Sequence, residues 1–238
     1  MRFDDGFFMK KAAKGYFVVG TDTGVGKTVV SASLLIALAR YGFKTAAIKP
    51  IACGCRLTSI GLCNEDALML QEHATHKVEY SQTNPFAFAE PIAPHIAAAR
   101  IGVGLTVAEV LLKTQQVLSS DVDYIVIEGA GGLCVPLNRN ETMTDLIKGY
   151  GYPVILVVGI RLGCINHALL TLESLCKHNV KIAGWVANVI DPEMGYVDES
   201  IQCIKLYTKS PLLGVIPYQE KIDLNMSTGY LSLHLLVS

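Results

Sequence analysis

Charge is scarce in this sequence. Asp, Glu, Lys and Arg make up 17% of its 238 residues and nearly cancel, to a formal net charge of −1. So balanced a chain sets up no field to gather nucleic acid or an anionic membrane, and neither is expected as a partner. No apolar run approaches the ~20 residues that a membrane span needs. No internal repeat, low-complexity tract or linker breaks the chain. Matched cysteines are missing too. There are seven, an odd number, mostly in apolar or glycine-rich surroundings, so reduced thiols in a cytoplasmic setting are expected. Cys53, Cys55 and Cys63 with His73 and His76 fit no common zinc spacing, and small buried or loop thiols are the simpler reading. Met1 to Lys14 shows no signal-peptide core or cleavage site. Met9-Lys10-Lys11 is a plausible second start, and residues 1–9 are expected to be a ragged extension of one domain spanning 1–238.

What the chain does have is apolar content, 51% of residues, enough for a substantial core. Its most informative stretch is Gly20-Thr21-Asp22-Thr23-Gly24-Val25-Gly26-Lys27-Thr28. A short apolar run, Tyr16 to Val19, leads in, and a long one, Val29 to Ala39, leads out. Strand, glycine-rich turn and helix are the context in which Gly-x-Gly-Lys-Thr becomes a phosphate cradle. Backbone amides and the positive end of the helix face the anion. Lys27 would reach the β- and γ-phosphates, and the Thr28 hydroxyl a Mg2+ ion. The strict P-loop spacing fails by one residue, since Thr21 stands where the first glycine should be.

The remaining elements alternate. Lys44 to Ile48 reads as a strand stopped by Lys49-Pro50, and 50–64 as a Gly- and Cys-rich loop. Asn64-Glu65-Asp66 caps a helix to about Ala74. An extended, proline-studded segment at 84–95 precedes a helix to Ile101, and Thr106 to Leu118 is amphipathic. Asp123 to Gly132 is a buried strand ending in Glu128 and a glycine turn, where P-loop proteins hold their metal through an acid. Thr142 to Gly149 is helical. Pro153 to Gly159, Val180 to Val189 and Leu212 to Ile216 are strands, with helices at 165–178 and 195–207 between them, and the apolar tail from Tyr230 should pack back on the body. The fold class is α/β: a single doubly wound, mostly parallel sheet with helices on both faces, P-loop NTPase-like. Taken singly, Lys49 could be a surface strand-end lysine, Asp66 a helix cap, and the loop at 161–167 a plain βα connection.

Taken together, the motifs resemble one family, dethiobiotin synthetase. The resemblance runs in order from Tyr16 to the C-terminus. It rests on residues 20–28, Lys49-Pro50 with Gly54, Asn64-x-Asp66, Asn84-Pro85, Glu90-Pro91 with Pro94-His95, and Glu128 to Gly132. Leu162 to His167, Gly184 to Asn188, and Leu213-Gly214 with Ile216-Pro217 complete the set. It implies an ATP- and Mg2+-dependent ligase of biotin biosynthesis, with diaminopelargonic acid and CO2 or bicarbonate as substrates.

Family roles carry over as implications of this resemblance. Lys27, Lys49 and Thr23 would be catalytic. Asp22, Gly24, Val25, Gly26, Lys27, Thr28, Val29, Asn188 and Pro217 would hold the nucleotide, Asn188 at the adenine edge. Thr28, Asp66 and Glu128 would ligate Mg2+. Thr23, Lys49, Cys53, Gly129 and Gly132 would meet the substrate. Leu162, Gly163, Cys164 and Asn166 would do so from the neighbouring subunit of a homodimer. Two positions depart from the family's usual residues: Gly24, where some members carry an acid, and Cys53, where many carry Ser. A partitioning or division-site ATPase switch shares the fold style. Its loop carries a signature lysine near the start, where this chain has Asp22. A cobyrinate-type amide ligase would need a glutamine-hydrolysing domain, for which 238 residues leave no room.

Overall fold

The computed structural model of the chain describes residues 13–237. The expected ragged extension at 1–9 lies outside the described residues. In chain order the elements are β1 (Lys14–Gly20), α1 (Lys27–Arg40), β2 (Thr45–Ile48), β3 (Ile51–Cys53), β4 (Arg56–Thr58) and β5 (Gly61–Cys63). There follow α2 (Glu65–His73), α3 (Tyr80–Thr83), β6 (Phe86–Phe88), α4 (Pro94–Arg100), α5 (Val107–Leu118) and β7 (Tyr124–Gly132). The chain closes with α6 (Met143–Tyr150), β8 (Val154–Ile160), α7 (Cys164–Lys177), β9 (Ile182–Val189), α8 (Val197–Leu206), β10 (Leu212–Ile216) and α9 (Leu224–Gly229).

The main sheet has six strands in the order β10-β9-β8-β1-β7-β2, every pair parallel. The central strand β1 shows why. Its residues alternate between two cores: Phe17 and Val19 face one, Tyr16 and Val18 the other. A strand buried on both faces must be apolar throughout, and parallel strands need helical crossovers that cover both faces. The Phe17 core is closed by α5, α6, α7 and α8, through residues such as Val110, Leu146, Leu172 and Ile201. The Tyr16 core is closed by α1 and α2 and by Leu233 and Leu236 of the tail.

Helix α1 is apolar almost all round because it is covered almost all round. The sheet lies on one side and α2 and α9 on others. Helix α9 holds α1 through Thr228, whose hydroxyl donates to Ser33 O at 3.3 Å, and through Arg40 Nη2 donating to Asn225 Oδ1 at 2.7 Å. Nothing in the sequence reading anticipated α9, whose six residues are too few to show a helical period. The expected return of the tail is present: the Tyr16 hydroxyl donates to Leu236 O.

The segment 50–64 differs from its reading as a loop. Strand β3 pairs with β6 in parallel, and β4 with β5 in an antiparallel hairpin. Three-residue strands show no alternation that a sequence can reveal. Gly54 and Gly61 reverse the chain between them at φ values of 75° and 107°. Together α2, α3 and these small sheets form a shelf beside the carboxyl end of β2.

Candidate active site

Open parallel sheets bind ligands beyond the carboxyl ends of their strands, where the chain order reverses. Here β1 is flanked by β7 and β8, so the turns after β1, β2 and β7 open onto one cleft of about 740 Å3. Thr23, Gly24, Gly26, Lys27, Thr28 and Val29 line it from the first turn. Lys49, Cys53 and Asp66 line it from the shelf, and Glu128 from β7.

The first turn is built by backbone conformation. Gly24 and Gly26 take φ values of 72° and 88°, which side chains other than glycine's rarely adopt. At Gly26 space is short as well: a Cβ would stand 2.1 Å from Asn188 Nδ2. That amide donates to Val25 O at 2.9 Å and ties the turn to β9. At Gly24 a Cβ would meet nothing within 4 Å. Lys27 opens α1, is buried, and donates from Nζ to Asp22 O at 2.8 Å. Asp22 turns its carboxylate outward to Arg161 Nη2 at 2.9 Å. Burial, and then the nearby Lys49 charge, pull Lys27 down to about 8. A charge held at such cost in a cleft is poised for an anion.

Across the cleft, Lys49 follows β2 and is 4% exposed. Its Nζ lies 2.5 Å from Glu128 Oε1 and 3.4 Å from Asp66 Oδ2, and donates to Gly129 O at 3.2 Å. Burial works against its charge, but Glu128 and then Asp66 outweigh burial and hold Lys49 above its ordinary value. Glu128, fully buried midway along β7, also accepts from Thr28 Oγ1 at 3.0 Å through the same Oε1. Its second oxygen, Oε2, has no hydrogen-bond partner. An orphaned buried carboxylate oxygen is expensive unless something polar joins it. The hydroxyl of Thr28 and the carboxylates of Glu128 and Asp66 are oxygen donors of the kind that suit a hard divalent cation. Among the described residues no three His, Cys, Asp or Glu side chains form such a group by themselves, so the hydroxyl is needed.

A sequence model of a family described as an AAA domain matches residues 14–225. The ATP-dependent dethiobiotin synthetase BioD of Pseudomonas aeruginosa (strain UCBPP-PA14) is 46% identical over 206 residues, covering 87% of this chain and 90% of that protein. The BioD proteins of Nitrosospira multiformis (strain ATCC 25196 / NCIMB 11849 / C 71) and Pseudescherichia vulneris are 44% and 42% identical, covering 88% and 90% of this chain and 91% and 89% of their own lengths. The chain belongs to the dethiobiotin synthetase family. Solved structures add the fold alone. The septum site-determining protein MinD complexed with Mg-ADP from Pyrococcus horikoshii OT3 gives a TM-score of 0.57 at 20% identity, over 94% of this chain and 89% of that one. MinD of Aquifex aeolicus gives 0.54 at 17%, over 94% and 90%. The division-site architecture is thus shared with a synthetase sequence.

For a dethiobiotin synthetase, the other expected positions fall into three groups. Asn188 and Pro217 line a smaller cavity of about 150 Å3, together with Val29. Val29 and Ile222 border both this cavity and the main cleft, so the two spaces adjoin. Val25 is a core residue whose carbonyl is taken by Asn188. Gly129 presents its carbonyl to Lys49, and Gly132 pairs with Gly20 beside the first turn. The turn between them brings Gly131 close to Thr23: a Cβ there would lie 3.7 Å from Thr23 Oγ1. Cys53 stays a neutral thiol, pushed up to about 11 by burial and by Cys55 against the pull of Lys49. The third group does not reach the cleft. Leu162 is 89% exposed, Gly163 and Asn166 are exposed, and the Cys164 side chain belongs to the core. That loop presents the Leu162 and Asn166 side chains to its surface, while the Cys164 amide at the start of α7 donates to Arg161 O at 3.0 Å.

Four residues carried no role in the sequence reading. Arg161 pairs with Asp22; Tyr218 and Gln219 border the smaller cavity; and Asn84, noted only as part of a motif, donates to Lys49 O at 2.7 Å. A buried Asn before a proline was the one visible signal, and it reads equally as a turn.

Proposed function

We propose that the chain carries out the synthetase reaction in this cleft: ATP-dependent carboxylation of diaminopelargonic acid and closure of its ureido ring, in biotin biosynthesis. The observation that carries this reading is the pair of lysines, Lys27 and Lys49, entering one cleft from opposite sides, close enough that the Lys49 charge lowers Lys27 through space. A kinase-like transfer to a neutral hydroxyl needs one such cation. Bringing together two anions, a carbamate and a triphosphate, calls for cations on both.

One substrate amine adds to CO2 and loses a proton, giving a carbamate. Lys49 and the Thr23 hydroxyl would orient it, with Cys53 and Gly129 to Gly132 as walls. The carbamate oxygen attacks the γ-phosphorus and ADP leaves, giving a mixed carbonic–phosphoric anhydride. The second amine attacks the carbonyl carbon and phosphate leaves as the ring closes. The first turn, from Asp22 to Val29, would cradle the phosphates, and Lys27 would leave Asp22 O for them. Asn188, its Nδ2 held by Val25 O, keeps its carbonyl oxygen for an adenine amine, and Pro217 would flank the base. Mg2+, when bound, would neutralise phosphate charge, held by Thr28, Asp66 and Glu128.

The exposed loop of Leu162, Gly163, Cys164 and Asn166 fits a homodimer in which its amides bind the substrate carboxylate across the interface. No helix among the described residues is long and apolar enough to cross a membrane. The deciding assay supplies ATP, Mg2+, bicarbonate and diaminopelargonic acid. Phosphate release that requires the diamine, with a cyclic urea product, is expected; release indifferent to the diamine would sink the reading. Sedimentation of the purified protein tests the dimer.

A further inference from the structure

Lys49 occupies an awkward backbone position. Strand β2 ends at Ile48 and β3 begins at Ile51, so neither ladder holds the residue between them. Both of its backbone groups are held instead by the one-turn helix α3 and the residue after it. Lys49 N–H donates to Thr83 O at 2.8 Å, and Asn84 Nδ2 donates to Lys49 O at 2.7 Å. Asn84 is 3% exposed, and its Oδ1 accepts from the Tyr80 hydroxyl at 3.0 Å. Tyr80 is 9% exposed, and its hydroxyl oxygen accepts from Asn64 N–H at 2.7 Å. Asn64 in turn caps α2, its Oδ1 accepting from the amides of Asp66 and Ala67 at 3.1 and 3.3 Å.

These bonds form one continuous path from the backbone of Lys49 to the backbone of Asp66, behind the cleft. Lys49 Nζ and Asp66 Oδ2 then meet inside it at 3.4 Å, which closes a ring. The Tyr80 hydroxyl is the middle of that path, donating on one side and accepting on the other. Burial pushes Tyr80 up to about 12, so the hydroxyl keeps its proton over the working range. The Tyr80 ring packs with Cys63 and Ala67, and its hydroxyl and Asn84 bring polar groups into that buried place. A side chain that only filled space there could be apolar, at lower desolvation cost.

We propose that Tyr80 and Asn84 are positioning residues for the reaction: their buried hydrogen-bond relay sets the separation between the Lys49 ammonium and the Asp66 carboxylate. This rests on the roles given above to Lys49 and Asp66. Displacement of a catalytic group by a fraction of an ångström is costly to turnover and cheap to ground-state binding. The relay therefore acts on kcat and on the metal requirement, while the first turn keeps its hold on the nucleotide.

Tyr80→Phe removes the hydroxyl and leaves the ring in place. Expected are a roughly tenfold fall in kcat and a roughly fivefold rise in the Mg2+ concentration for half-maximal rate, with the KM for ATP within about twofold of wild type. Asn84→Ser cuts the same relay at the Lys49 end and should lower kcat similarly, so either variant suffices if the other does not fold. A purely structural role is separated by a cycle with Asp66→Asn. Adding Tyr80→Phe to Asp66→Asn should cost less than about threefold in kcat, because the group being positioned is already lost. Wild-type kcat and Mg2+ dependence in both variants would overturn the relay, as would the full tenfold loss in the Asp66→Asn background. If wild type itself forms no cyclic urea, the functional reading falls and this inference with it; wild-type turnover with unaltered variants defeats the relay alone.

Discussion

The two walls of the cleft are made in opposite ways. The wall from Gly20 to Thr28 is one unbroken stretch whose shape is set by its own backbone: two left-handed glycines and a helix start. The facing wall brings Lys49, Cys53, Asp66 and Glu128 together from four segments, and side-chain hydrogen bonds hold it. In the proposed reaction the first wall would bind by presenting amides, whose placement is the turn's own apart from the tie of Asn188 to Val25 O. The second would bind by charges, and these depend on partners elsewhere in the chain. A local wall should therefore fail in affinity when broken, and an assembled wall in turnover and in stability.

Glu128→Ala is the strongest test. It strands the Lys49 ammonium in a buried site, with Asp66 as its remaining carboxylate, and should cost about 3–5 kcal/mol of folding free energy in urea titrations. Turnover should fall at least about a hundredfold, since Thr28 loses its acceptor and the orphan oxygen is gone. Lys49→Ala comes next: at least a tenfold loss of turnover while nucleotide binding survives. Equal turnover would remove Lys49 from the mechanism. Gly26→Ala should break the local wall in the opposite sense, lowering nucleotide affinity about tenfold through the clash with Asn188. Gly24→Ala meets open space and should cost only its backbone strain, about 1–2 kcal/mol. Similar effects at the two glycines, by calorimetric titration of nucleotide, would show that crowding at Asn188 does not matter.

The smallest effect is in pH. With Lys27 at about 8 in the free protein, its charge is present below that value and fades above it. Nucleotide affinity should fall as pH rises through about 8, and binding above it should take up a proton, measurable by calorimetry in buffers of different ionisation enthalpy. For folding the sign is reversed. Between about 8 and the ordinary value of 10.5 the native state binds fewer protons than the unfolded chain, so this lysine's contribution to stability rises with pH across that window. Lys27→Met should abolish both dependences.

Much of this molecule was legible before any coordinates. The strands of the main sheet were expected within about two residues, because buried parallel strands are uninterrupted apolar runs, except that β7 continues to Gly132 through what reads as a glycine turn after Glu128. The helix cap at Asn64 was readable from residue type alone, and its side chain accepts from the amides of Asp66 and Ala67. The small sheets at 51–63 and 86–88 were not readable, being shorter than any period. Asp66 is the instructive case. It is both a first-turn residue of a capped helix and a member of the cleft, and its residue type suits either place.

What the sequence determined by itself is therefore whatever is local: the glycine turn, the strands and helices, and the kind of charge each loop carries. Backbone conformation and apolar period act over a few residues, and a few residues are all a motif holds. Tertiary structure decided which charges meet. Lys49, Asp66 and Glu128 are brought into one cluster by the ends of β2 and α2 and by β7, and Asn84 and Tyr80 link it from behind. Hydrogen bonds and ion pairs between distant segments have no period to leave in a sequence. They form only when the sheet fixes the ends of its strands side by side.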